Sequence, residues 1–118
     1  MPTRRQHRIN ELLFEALTLQ VSGEAEDDPR LTDVLITRVE TTQDLSNAKV
    51  YFTSDGDEAE VTEALVALKE HERDLRGELA DLGLRRLPHL VFARDRAFES
   101  GERVLAILNR LNSGQGGG

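Results

Sequence analysis

Eight cationic side chains in this 118-residue chain have the type and grouping to hold phosphate. Arg4, Arg5 and Arg8 open the chain with no acid among them, and Lys69, Arg73, Arg76, Arg85 and Arg86 cluster in its second half. Thirteen of the 15 basic residues are Arg, whose planar fork of donors matches phosphate bidentately. Phosphate contact is electrostatic and blind to base sequence, so the implied chemistry is gripping a folded polyanion by its backbone. The competing reading is a set of solvated charges paired with Glu70, Glu72, Asp74 or Glu78. Arg73 has Glu70 three residues before it, and Arg76 has Glu72 four before it, which are both pairing distances on a helix. Arg85 and Arg86 have no acid within three residues and are the stronger pair of candidates.

Other chemistries have less to stand on. There is no Cys, which excludes disulfides, thiolate metal sites and thiol nucleophiles. His7, His71 and His89 lack ligand spacing, and no metal is expected. His71 and Glu72 are adjacent and would not face each other on a helix. Asp95 could meet Glu99 or Glu102, but no nucleophile or phosphate loop accompanies them; it reads as the start of the last helix or an Arg partner. The chain is therefore expected to be no enzyme and to need no cofactor. Tyr51 could stack on an unpaired base, although cross-strand packing is the favoured reading. Phe14, Phe52, Phe92 and Phe98 read as core.

The net charge of −7 speaks against nucleic acid until its distribution is considered. Residues 11 to 64 hold 14 acids against three bases, whereas residues 65 to 98 hold six against seven. An acidic molecule can thus carry one basic face. The acids of Ser22 to Arg30 could repel misplaced RNA, or simply solvate a surface loop, which is the preferred reading. No run of about 18 apolar residues is present, and Met1 to Arg8 lead into an amphipathic segment rather than a signal peptide, so a cytosolic monomer is expected.

The elements that must position these cations follow from periodicity. Ile9, Leu12, Leu13, Ala16 and Leu17 predict a helix from about Arg5 to Gln20. Ser22 to Arg30 reads as a loop. β-Branched residues from Thr32 to Thr42 and the alternation through Ala48, Val50 and Phe52 predict an antiparallel hairpin, turning at Gln43 to Ser46. Ser54 or Asp57 is placed to cap the next helix. Val61, Ala64, Leu65, Leu68, Leu75, Leu79 and Leu82 keep one helical phase across the polar gap Lys69 to Asp74. That pattern fits either one long helix or two with a kink. Gly83 suits a helix end, and Pro88 introduces a strand through Leu90 to Ala93. Val104, Ile107, Leu108 and Leu111 predict a final helix, and Ser113 to Gly118 a flexible tail after a single domain of residues 1 to 112. The predicted fold is α+β in the order α-β-β-α-α-β plus a C-terminal helix. Its three-stranded mixed sheet has helices on one face and a polar opposite face, and the last strand could lie parallel to the first.

In order along the chain, Arg5 with Arg8-Ile9, Asp28-Pro29-Arg30-Leu31, Asp44-Leu45-Ser46-Asn47-Ala48-Lys49-Val50-Tyr51, Leu75-Arg76 with Leu79, and Leu84-Arg85 with Pro88, Leu90, Phe92 and Asp95 resemble the ribosome-binding factor A family. The resemblance spans about residues 5 to 111. It implies a type II K-homology fold and binding to the small ribosomal subunit and its 16S rRNA during late maturation, without catalysis or cofactor. Ribosomal proteins could be further partners: the acidity of residues 11 to 64 would suit a basic one, and docking on it without RNA contact is the alternative expectation. One departure stands out: the family's Ala-x-Gly at the helix break is here His71-Glu72-Arg73, which leaves the kink and the RNA contact at that point open.

Overall fold

The computed structural model describes residues 2–101 together with Leu105 and Leu108. Helix α1 (Arg4–Glu24) starts at a capping box: Thr3 Oγ1 accepts from the Gln6 N–H at 3.1 Å, and the Gln6 side chain accepts from the Thr3 N–H at 2.9 Å. The helix runs four residues beyond the expected Gln20, because Val21 extends the stripe of Ile9, Leu13 and Leu17 and is itself buried. The segment expected to be a loop is therefore shorter. It contains a single 3-10 turn, Pro29–Leu31, whose Leu31 is buried in the core.

Strands β1 (Val34–Thr41) and β2 (Asn47–Ser54) form the expected antiparallel hairpin, and β3 (His89–Arg94) completes a sheet in the order β1-β2-β3. β3 runs parallel to β2, which corrects the expected parallel pairing with the first strand. The crossover leaves from the end of β2, so the strand it delivers lies beside β2. The outer edge of β1 is meanwhile occupied by α1, whose Gln6 amide donates to the Thr41 carbonyl and whose Asn10 accepts from the Thr41 N–H, both at 3.0 Å.

The crossover is α2 (Glu58–Glu78), capped by Asp57 in a second capping box with Glu60. It passes through His71-Glu72-Arg73 without interruption and tightens into a 3-10 turn, Leu79–Leu82. That turn ends on Gly83 in the left-handed region, at φ 73°. Residues 71–73 thus hold no break. His71 directs Nε2 to Asp28 at 2.8 Å and Nδ1 to Glu24 at 3.2 Å, while Glu72 accepts from the Leu90 N–H at 3.3 Å. Side chains at these two positions pin the helix to its neighbours.

Both helices cover one face of the sheet, α1 over β1 and α2 over β3. The core joins Leu13 and Leu17 to Leu68, Leu75 and Leu79 of the α2 region, and to Val50, Phe52 and Phe92 of the sheet. The other face carries Arg38, Glu40, Lys49 and Tyr51, with Leu35 and Val91 exposed among them. Phe98, expected in the core, is 38 % exposed: it lies on the first turn of the helix that begins after β3. Of the expected final stripe, Leu108 is helical and exposed; Val104, Ile107, Leu111 and the tail lie outside the described residues.

A bulge in β1 between Ile36 and Arg38 turns Thr37 and Arg38 towards Asp95. Asp95 is buried. Its carboxylate accepts from the Thr37 hydroxyl at 2.5 Å, Arg38 Nε at 3.2 Å and the Phe98 N–H at 2.9 Å, so it caps the helix that follows. Burial alone would raise its pKa, but these donors outweigh burial and hold it below the ordinary carboxylate value. Asp95→Ala removes the cap and the charged hydrogen bonds together and is expected to destabilise the fold by about 2–4 kcal/mol in urea denaturation. In the wild type this contribution is present above the ordinary carboxylate range and is lost as pH falls through the depressed value.

Candidate nucleic-acid interface

Three of the eight predicted cations meet. Arg5 from the first turn of α1, and Arg85 and Arg86 from the segment before β3, line one recess of about 190 Å³ at the end of the sheet. Its other walls are Ile9, Thr41, Asp44, Leu45, Leu84 and Pro88. Chain segments some 80 residues apart thus converge because α1 lies over β1 and the segment before β3 arrives beside the hairpin turn.

The hairpin turn forms the recess's acidic wall. Asp44 accepts from the Ser46 hydroxyl at 2.7 Å, the Ser46 N–H at 3.1 Å and the Thr42 hydroxyl at 2.9 Å. Those bonds, led by Ser46, lower its pKa to about 2. They also hold Leu45 at φ 61°, a conformation costly for a non-glycine residue. Leu45 is half-buried and packs against the core from this position. Asp44 makes no ion pair with Arg5, Arg85 or Arg86 among the described residues, so the recess is lined by three arginines and one carboxylate that is hydrogen-bonded within its own turn.

Arg76 has a different part from the one expected. Its Nε donates to the Pro88 carbonyl at 3.1 Å and its terminal nitrogen to the Leu87 carbonyl at 2.8 Å. These bonds fasten α2 to the segment that carries Arg85 and Arg86. Arg76 is therefore a positioning residue, with both polar bonds directed at backbone rather than at Glu72. Glu72 and Glu70 are engaged elsewhere, by the Leu90 N–H and by Arg30 respectively. Lys69 and Arg73 are exposed on α2, and Arg4 and Arg8 are exposed on α1; none of these four lines the recess.

Ion pairing sorts the arginines. Arg30 is held by Asp28 and Glu70, Arg38 by Glu40 and Asp95, and Arg94 by Glu58 and Glu99. None of the eight predicted residues has an ion-pair partner among the described residues. Tyr51 is covered by the Arg38 guanidinium, 3.8 Å from its ring centroid, and Lys49 lies at 5.2 Å, which is the packing role favoured from sequence. Among the described residues no three His, Asp or Glu side chains are placed to hold a metal, and no helix is long and apolar enough to cross a membrane.

The residues that sequence reasoning passed over are Ile9, Thr41, Leu45, Leu84 and Pro88 as recess walls, and the Thr37 bulge. Spacing signals the bulge: Ile36 and Val39 are both buried although three residues apart, which strict alternation forbids.

Fold and site together define a class: a small mixed-sheet α+β domain with helices on one face and an arginine-rimmed recess at one end. The family model for ribosome-binding factor A matches residues 5–108, and the chain belongs to that family. It is similar to ribosome-binding factor A of Carboxydothermus hydrogenoformans, at 33 % identity over 98 % of this chain and 93 % of the relative. The crystal structure of ribosome-binding factor A from Thermus thermophilus aligns with a TM-score of 0.66 and 32 % identity, over 75 % of this chain and 94 % of that one. A homology model of the Thermus thermophilus protein, fitted into the cryo-EM map of its complex with the 30S subunit, aligns with a TM-score of 0.59 and 32 % identity, over 74 % of this chain and 91 % of that one.

Two outcomes test this geometry. Arg76→Ala is expected to destabilise the fold by about 2 kcal/mol, from the loss of two charge-assisted bonds, and to speed hydrogen exchange at Arg85 and Arg86. The Asp44 contribution to stability is expected to be complete above the ordinary carboxylate range and to disappear as pH falls to about 2, a dependence that Asp44→Asn removes from thermal melts taken across that window.

Proposed function

We propose that this protein is a non-catalytic, monomeric, cytoplasmic assembly factor. It binds the small ribosomal subunit through the phosphate backbone of 16S rRNA during late maturation, using a fold of the type II K-homology kind. The reading rests on one observation: Arg5, Arg85 and Arg86 converge on a single recess while no carboxylate pairs with them among the described residues. Their fork geometry suits phosphate oxygens, and the apolar walls from Leu45, Leu84 and Pro88 lower local hydration, which strengthens charge-assisted contacts. Arg4 and Arg8 on α1, and Lys69 and Arg73 on α2, extend the positive surface outside the recess. Arg76 acts by fixing the loop. The Thermus thermophilus relative fitted as a complex with the 30S subunit supports the same partner for this chain.

Without a break at residues 71–73, close approach of backbone to phosphate is not available there, and the grip passes to side chains. Recognition is then by shape and charge, since Tyr51, the sheet's one tyrosine, is occupied by Arg38.

The test is binding to small subunits and to protein-free 16S rRNA as a function of salt. Arg85→Glu with Arg86→Glu is expected to weaken both associations at least tenfold while the fold is retained, and Arg5→Ala to reduce the log-log salt slope by about one. Wild-type affinity in the double variant contradicts the proposed face. Retained subunit binding with no affinity for the naked RNA supports instead docking on a basic ribosomal protein.

A further inference from the structure

The recess of Arg5, Arg85 and Arg86 contains one group that a phosphate grip does not need. Asp44 stands on its wall, and a carboxylate beside three guanidinium groups opposes any phosphate that they hold. Its position is fixed by the hairpin turn. All three bonds that it accepts there, from the Ser46 hydroxyl, the Ser46 N–H and the Thr42 hydroxyl, go to Oδ1. Oδ2 has no partner among the described residues. With its pKa lowered to about 2, chiefly by the Ser46 hydroxyl, the group is ionised across the neutral range and can only accept.

The other polar side chains of the recess cannot take this part. Arginine carries donors alone, and the buried Thr41 hydroxyl is committed to Asn10 at 2.7 Å. The recess thus offers three donor forks for phosphate and one carboxylate oxygen for a hydroxyl, with apolar Ile9, Leu45, Leu84 and Pro88 around them. Its volume of about 190 Å³ falls below the roughly 300–1,000 Å³ of a small-molecule site, which suits a single sugar–phosphate unit of a chain that passes across it. In RNA, that unit carries a hydroxyl beside its phosphate.

We propose that Asp44 makes the recess selective for ribose: its Oδ2 accepts a hydrogen bond from the 2′-hydroxyl of the nucleotide whose phosphate the arginines hold. This rests on the phosphate-binding reading of the recess and adds to it a choice of RNA over DNA. RNA gains a charge-assisted bond that offsets the repulsion between carboxylate and phosphate. DNA meets the repulsion alone. The arginines therefore set affinity, and Asp44 is the specificity-determining residue.

The probes are fluorescein-labelled decauridylate, decadeoxyuridylate and 2′-fluoro-decauridylate, titrated with the full chain and followed by anisotropy at low salt. They share base and charge, and the fluoro sugar keeps a ribose-like pucker without the O–H. The wild type is expected to bind decauridylate about tenfold more tightly than either of the others. In Asp44→Asn, which keeps an Oδ1 acceptor for the turn, binding of the deoxy probe is expected to tighten and the preference to fall to about twofold or less. A merely structural role for Asp44 would weaken all three alike. The comparison of probes on the wild-type protein decides the matter even if the variant fails to fold. Equal wild-type affinity for the three probes, a fluoro probe that matches decauridylate, or a preference retained in Asp44→Asn would each overturn ribose selection. Equal binding that Arg85→Glu with Arg86→Glu abolishes overturns ribose selection alone, whereas failure of every probe to bind overturns the phosphate grip as well.

Discussion

The bonds from Arg76 to the carbonyls of Leu87 and Pro88 are the constraint on which the site depends. The segment between the 3-10 turn and β3 carries two adjacent, exposed arginines that repel each other and has no regular structure of its own. Left free, it would scatter that charge. A guanidinium anchored in α2 fixes its last residues, buried Pro88 wedges it against the core, and Gly83 at positive φ sets where it departs. Arg85 and Arg86 are thereby presented to Arg5 across the hairpin turn.

The same turn shows how a local choice serves a distant one. Asp44 organises Thr42 and Ser46 around itself, and in doing so holds Leu45 in a conformation that leucine seldom takes. A strained leucine is tolerated because its side chain helps to close the recess and packs on the core. Charge is handled with similar economy. Where arginines would compete with the recess for phosphate, as at Arg30, Arg38 and Arg94, carboxylates from other elements occupy them. Among the described residues, the arginines of this anionic protein without an ion pair are Arg4, Arg5, Arg8, Arg73, Arg76, Arg85, Arg86 and Arg96.

Most of the scaffold was legible from the chain. Both long helices announced themselves by apolar stripes, the hairpin by β-branched residues and alternation, and Gly83 by its place after Leu82. The capping box Thr3 to Gln6, which the apolar stripe does not reveal, sets where α1 begins. What was not readable was long-range pairing. Glu70 stands within reach of Arg73 on the helix, yet it is drawn to Arg30, 40 residues away, and Arg76 ignores Glu72 for two backbone carbonyls. Helical spacing ranks neighbours on one element only; it carries no information on which other element arrives beside it. For the same reason Arg85 and Arg86 could be preferred from composition, but their meeting with Arg5 could not be seen. The uninterrupted α2 was undetermined because a single apolar phase fits a straight or a kinked helix equally well. The glutamate and histidine that clasp neighbouring elements settle it in the fold.

The central claim is that Arg5, Arg85 and Arg86 act as one phosphate-binding unit while the carboxylate-paired arginines do not. The most direct measurement follows the arginine Nε resonances of the full chain by NMR during titration with a hairpin fragment of small-subunit rRNA. The account predicts that Arg5, Arg85 and Arg86 shift together along a single saturation curve while Arg30, Arg38 and Arg94 stay in place. Separate curves for the three, or shifts of the paired arginines with the recess unmoved, would contradict it.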